Sequence, residues 1–146
     1  MSSPRPARLY SPQVLALAIE LAAYPLGDEL PLRAEARSRT CGSTITVGLS
    51  LDANGAIGRV GMQVSACAIG QGSAALLARS AKGCDAGSIA ATLTGLEQWL
   101  AGTGELPAWP DLELLAPARA HPARHAALLL PWKAASKALS SRDAAG

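Results

Sequence analysis

Phenylalanine is absent from this 146-residue chain, and three Trp and two Tyr are its whole aromatic content. A core of ordinary size must therefore be built from aliphatic side chains, and an apolar fraction of 49% supplies enough of them for one compact domain. Charge of one sign is also lacking. Thirteen Lys and Arg stand against eleven Asp and Glu, net +2, and the Arg residues are scattered. That excludes the basic stripe of a dedicated nucleic-acid binder. Cysteine is scarce: Cys41, Cys67 and Cys84 are odd in number and too few for a disulfide framework. Free thiols in a reducing, cytoplasmic setting fit better. Long apolar runs are missing too, so no stretch suits a bilayer. Arg5 and Arg8 ahead of the run from Val14 faintly resemble a secretory leader. Against that, Ser11 and Pro12 read as a helix cap and first-turn proline, and Glu20 interrupts the run.

What is present divides the chain into a tail (1–10), a single domain (11–140) and a second tail (141–146). Val14, Leu15, Leu17, Ala18 and Leu21 repeat at helical spacing, and Pro25 ends the helix. Residues 26–40 are polar and mixed in sign, and read as a loop. From Ser43 to Leu51 the period becomes two, with Ile45, Val47, Leu49 and Leu51 on one face. Asp52-Ala53-Asn54-Gly55 is a hairpin turn, and Ile57, Val60, Met62 and Val64 mark the return strand. Helices are expected over residues 68–82, stopped at Gly83, and again after a cap at Asp85 or Ser88. A proline-interrupted loop then leads to a last helix from about Ala123 to Leu139, with Pro131 a local defect. This order predicts an α+β fold, an antiparallel sheet with helices packed on one face.

The chemistry rests on two thiols. Cys41, followed by the unobstructing Gly42, precedes the first strand of the hairpin, and Cys67 follows the second at a helix N-terminus. Unpaired amides there suit an anionic ligand, and thiolates bind zinc and iron-sulfur clusters. Pairing of the hairpin would place both at one rim of the sheet, close enough to share a metal or form a disulfide. By spacing alone, buried inert cysteine is the commoner outcome. Cys84 should lie at the far end of the helix begun by Cys67, about 20 Å away. His121 and His125 read as solvent or capping residues. Gly70-Gln71-Gly72 lacks the Lys-Ser/Thr of a phosphate loop. Trp99, Trp109 and Trp132 should each fill a large core volume. No paired acid-base site or nucleophilic triad is visible, so a non-enzyme is expected.

Cys41-Gly42, Cys67-Ala68-Ile69 and Trp132-Lys133-Ala134, in this order and spacing, resemble the U-type iron-sulfur scaffold family (IscU, SufU and the N-terminal domain of NifU). The resemblance spans about Thr40 to Leu139. It implies an IscU/SufU-like fold, iron, zinc or an iron-sulfur cluster as cargo, and a cysteine desulfurase and other assembly proteins as partners. Departures accompany it. The acidic residue that follows Cys-Gly in the family is Ser43 here, the third Cys position falls on Ala127, and the His before it in the IscU branch is Ala126. Two ligands cannot close a four-ligand site. Three readings stay open: a homodimer pooling Cys41 and Cys67 from each chain, recruitment of His125 or Cys84, or a metal-free adaptor or regulator of the assembly machinery. A persulfide-carrying sulfur acceptor is a further alternative.

Overall fold

The computed structural model describes residues 11–39 and 42–145. Helix α1 (Pro12–Glu20) starts where its cap predicts, with Ser11 Oγ accepting the Val14 N–H at 3.2 Å. A 3-10 turn (Leu21–Ala23) leads to Tyr24 and Pro25. Strands β1 (Leu32–Arg37), β2 (Thr44–Leu51) and β3 (Ile57–Ser65) then form one antiparallel sheet in the order β1-β2-β3. Helices α2 (Ala68–Ser80), α3 (Ala86–Leu100) and α4 (His125–Ala145) complete the chain, with 3-10 segments at Leu112–Ala120 and Pro122–Arg124. α2 rests against β3, α4 against β1 and β2, while α1 packs on α2 and α3 on α4. This is the expected α+β arrangement, with the helices on one face of the sheet.

The β2–β3 hairpin closes as its sequence predicts. Gly55 N–H donates to the Asp52 carbonyl at 3.0 Å, and Asp52 Oδ1 accepts from the amides of Asn54 and Ala56. Gly55 alone of the turn takes a positive φ, +82°, so the turn uses its glycine and leaves Asn54 in ordinary backbone space. A one-residue shift in the ladder follows, with Ser50 opposite Arg59 and Leu51 opposite Ile57. Ile45, Val47 and Leu49 then face the helices and are almost wholly buried. Each such side chain stabilises the fold by about 1.5–3 kcal/mol.

Three expectations need correction. Residues 26–40 are no plain loop, because Leu32–Arg37 pairs along its length with β2. Leu32, Ala34 and Ala36 face inward while Arg33, Glu35 and Arg37 stay exposed; with Ala at two of three inward positions, the period-two signal is faint. The segment before it also carries structure. Leu30 is buried against the sheet face opposite the helices, over the cross-strand pair Gly48 and Gly61. Arg33 holds this segment by donating to the carbonyls of Leu30 and Gly27. Second, the stretch from Glu105 to Pro122 contains the 3-10 segment, whose Leu112, Leu115 and Ala118 are buried. Third, the last helix runs unbroken through Pro131 to Ala145.

Asp85 caps α3 by accepting the Ser88 N–H at 2.8 Å. All three tryptophans are buried, as their scarcity suggests. Arg79, at the last turn of α2, bonds Glu20 and pairs with Asp111 at 2.8 Å. The Glu20 hydrogen bond raises its pKa further above the ordinary guanidinium range.

The glycine pair beneath Leu30 yields a test. A Cβ on Gly61 would lie 2.6 Å from Leu30 Cδ1 and closer still to the Pro25 carbonyl oxygen. Gly61→Ala should therefore lower unfolding free energy by about 1–3 kcal/mol in urea titrations. Gly58→Ala, whose Cβ meets nothing nearer than 3.6 Å, should cost less than about 1 kcal/mol. Equal effects from the two would show that the loop does not depend on this contact.

Candidate metal centre

The β2–β3 register fixes the rim where the candidate thiols belong. Thr44 pairs with Ser65, so the residues before Thr44 and after Ser65 leave the same end of the sheet. Cys67 is two residues beyond that pair. Cys41 lies outside the described residues, but both sides of it are placed. Ser38 N–H donates to the Ser43 carbonyl at 2.9 Å, and Gly42 N–H to the Ser38 carbonyl at 3.0 Å. Cys41 therefore belongs to the β1–β2 connection, and Gly42 carries a φ of +70° that an L side chain rarely adopts.

Cys67 is the N-cap of α2, with φ −66° and ψ 171°, and its thiol makes no capping hydrogen bond. It is half-buried and free. Its carbonyl accepts from Gln71 N–H at 2.9 Å, and Gln71 Nε2 reaches back to the Ala66 carbonyl at 2.7 Å. The backbone on either side of the sulfur is thus fixed while the sulfur itself is left available.

The two positions implied as vacant are both buried. Ser43 is 3% exposed. Ala127, in the first turn of α4, is fully buried and faces α2: a Cβ built on Gly70 would be 3.4 Å from the Ala127 Cβ and 3.4 Å from its carbonyl oxygen. Gly70 lies three residues after Cys67, on the same face of α2. Pro131 has no N–H to offer the Ala127 carbonyl, which ends beside Gly70 instead.

Of the two auxiliary residues, Cys84 lies away from this rim, and His125 has one ring nitrogen engaged by a backbone carbonyl. Cys84 Sγ donates to the Ser80 carbonyl at 3.5 Å, and the Cys84 carbonyl accepts from Ile57 N–H at 2.8 Å. Ile57 begins β3 and Ser65 ends it, so Cys84 sits at the opposite end of the sheet, about 25 Å away along the strand. His125 opens α4, and its Nε2 lies 2.8 Å from the Arg119 carbonyl. Because a carbonyl can only accept, that nitrogen carries the proton. Among the described residues, no group of three or more His, Cys, Asp and Glu could hold a metal ion.

Two features of the site escape sequence reasoning. Arg37, Ser38, Arg39, Gly42, Ser43 and Thr44 line a hollow of about 260 Å³ on the β1–β2 connection. The alternation of Arg in residues 33–39 was its faint signal. The other is a buried clamp between α2 and α4. Trp132 Nε1–H donates to Ser73 Oγ at 3.0 Å, and the Ser73 hydroxyl donates to the Leu128 carbonyl at 2.6 Å. Trp109 stacks edge-on against Trp132, centroids 4.8 Å apart, and donates to the Leu76 carbonyl at 2.8 Å. This clamp ties the middle of α2 to the first turns of α4.

Solved structures share this architecture. A nitrogen-fixing NifU-like protein (N-terminal part) from Brucella abortus matches with a TM-score of 0.85 and 28% identity, over 94% of this chain and 96% of that one. A protein assigned as an iron-sulfur cluster assembly scaffold of the SUF system, from the thermophile Fervidobacterium islandicum, matches with a TM-score of 0.78 and 20% identity, over 90% and 96%. No family model and no curated protein matches the sequence. The resemblance carried by the cysteine and tryptophan motifs thus extends to the whole fold.

Removing the clamp tests its part in placing α4. Ser73→Ala leaves the buried Trp132 N–H without its acceptor and should cost about 1–3 kcal/mol of stability. Urea midpoints unchanged within error would show that another group takes over the indole.

Proposed function

We propose that this U-type, NifU- and SufU-like chain takes part in iron-sulfur cluster assembly, binding iron, zinc or a cluster as cargo through Cys41 and Cys67. The carrying observation is the full-length likeness to the NifU-like N-terminal structure, joined to the pairing of Thr44 with Ser65 that sends both cysteine segments to one rim.

The donor set then determines how cargo would be held. Iron-sulfur clusters and structural zinc take four protein ligands as a rule. One chain offers two thiolates, since Ser43 and Ala127 carry no suitable donor and Cys84 is at the other end of the sheet. Two chains related by a two-fold axis would offer four. Cys41 and Cys67 of each would contribute thiolate, and the amides at the first turn of α2 would favour the negative charge on Cys67. Partners in this reading are a cysteine desulfurase and other assembly proteins. Its role is as carrier or scaffold and not as a catalyst.

A second reading keeps the thiols but not the metal. Cys67 is half-buried with an unengaged sulfur, which suits persulfide transfer or an adaptor cycling between dithiol and disulfide. Metal analysis of the chain purified under anaerobic conditions separates the two. Iron or zinc should be present in the parent and fall at least about tenfold in both Cys41→Ser and Cys67→Ser. Metal-free parent protein, with a mass gain of one sulfur on either thiol after incubation with a cysteine desulfurase, would favour the second reading.

The implied vacant positions give an independent check. Ser43→Asp with Ala127→Cys restores a carboxylate and a thiolate, and should raise zinc affinity by more than about a hundredfold in chelator competition. A folded double variant binding zinc no better than the parent would show that residue 127 is not directed at the thiols.

A further inference from the structure

At the other end of β3 from Cys67, a cavity of about 360 Å³ opens between the Tyr24–Pro25 segment, the last turn of α2 and the start of the strand. β3 is an edge of the sheet, and its outer side is fastened at two places. Met62 N–H donates to the Tyr24 carbonyl at 2.8 Å. Five residues earlier, Ile57 N–H donates to the Cys84 carbonyl and the Ile57 carbonyl accepts from Gly83, both at 2.8 Å. Between these fastenings is Val60, which lines the cavity. Backbone groups alternate sides along a strand, so Val60, two residues from Met62, turns its N–H and C=O to the same outer side. Neither group has a partner among the described residues.

The walls add charge. Arg59 and Lys82 are exposed, line the cavity and take part in no ion pair among the described residues. Arg79 also lines it, but Glu20 and Asp111 already hold its guanidinium. Glu29 is the acidic member of the lining, and its carboxylate folds back over Gly27. Tyr24, Leu30, Ile57, Val60 and Ala78 supply the apolar surface.

We propose that this cavity binds the C-terminal end of an extended polypeptide, with its main chain paired to Val60 and its terminal carboxylate between Arg59 and Lys82. A donor and an acceptor side by side on a strand edge match a peptide unit, as in strand addition to sheet edges. The two fastenings stand about 16 Å apart along β3, which leaves room for about three residues and blocks a strand from running through. A chain must therefore end there. Two cations select the carboxylate terminus over the ammonium terminus. Cargo binding at the Cys67 rim does not enter this inference, so the two stand or fall separately.

The test uses the full chain and the peptide acetyl-Ala-Val-Leu with a free C-terminal carboxylate, followed by calorimetry and by exchange of backbone amides. Saturable binding with a dissociation constant below about 1 mM is expected, with slowed exchange at the Val60 amide. The same peptide as its C-terminal amide, and the Arg59→Gln/Lys82→Gln variant with the free acid, should each bind at least about tenfold more weakly. Both substitutions are of exposed side chains without ion pairs, so the fold should hold, which circular dichroism checks. Three results would overturn the proposal: no saturable binding of the free acid, equal binding of the amide, or acetate competing as strongly as the peptide itself.

Discussion

A slip of one residue between β2 and β3 would turn Ile45, Val47 and Leu49 out of the core and point Thr44, Thr46 and Ser50 into it. That cost, set against three nearly fully buried aliphatic side chains, locks the register in which Thr44 faces Ser65. Everything at the rim inherits its position from this pairing. It brings the Ser38–Ser43 turn beside the entrance to α2, leaves Cys67 as the helix cap, and sends Cys84 to the far end with Ile57. The same register puts Gly48 opposite Gly61, which lets Leu30 cover the sheet face the helices do not.

Much of this is legible in the sequence wherever local chemistry and tertiary need coincide. Ser11 and Asp85 cap helices because their side chains can reach the amides of Val14 and Ser88. Asp52 and Gly55 close the hairpin because one supplies acceptors and the other a positive φ. β1 is hard to read because its inward positions are Leu32, Ala34 and Ala36, too small a hydrophobic signal beside Arg33, Glu35 and Arg37. The burial of Leu30 has no local signature at all, since it depends on two glycines 18 and 31 residues further on. Pro131 reads as a helix breaker, yet α4 passes through it, with the Ala127 carbonyl left beside Gly70.

For the candidate site, the chain order of Cys41, Cys67, Ala127 and Trp132 is visible in the sequence through the family resemblance, but the helix-to-helix fit is not. The Ser73 hydroxyl that joins Trp132 to the Leu128 carbonyl has no sequence signature beyond a serine in a small-residue helix. It joins α2 to α4 one turn beyond the Gly70–Ala127 contact. Ala127 is fully buried there, packed against Gly70 of α2. The proposed site therefore rests on two thiols per chain.

The proposal that Cys41 and Cys67 hold the cargo fixes a stoichiometry, because four thiolates around one cluster require two chains. Native mass spectrometry after anaerobic reconstitution with iron and sulfide reads it directly. Thiolates shared between two chains should give a species of two chains carrying one two-iron, two-sulfur cluster, with the Cys67→Ser chain remaining monomeric and cluster-free. A single chain holding a complete cluster, or a Cys67→Ser chain that still acquires one, would contradict it.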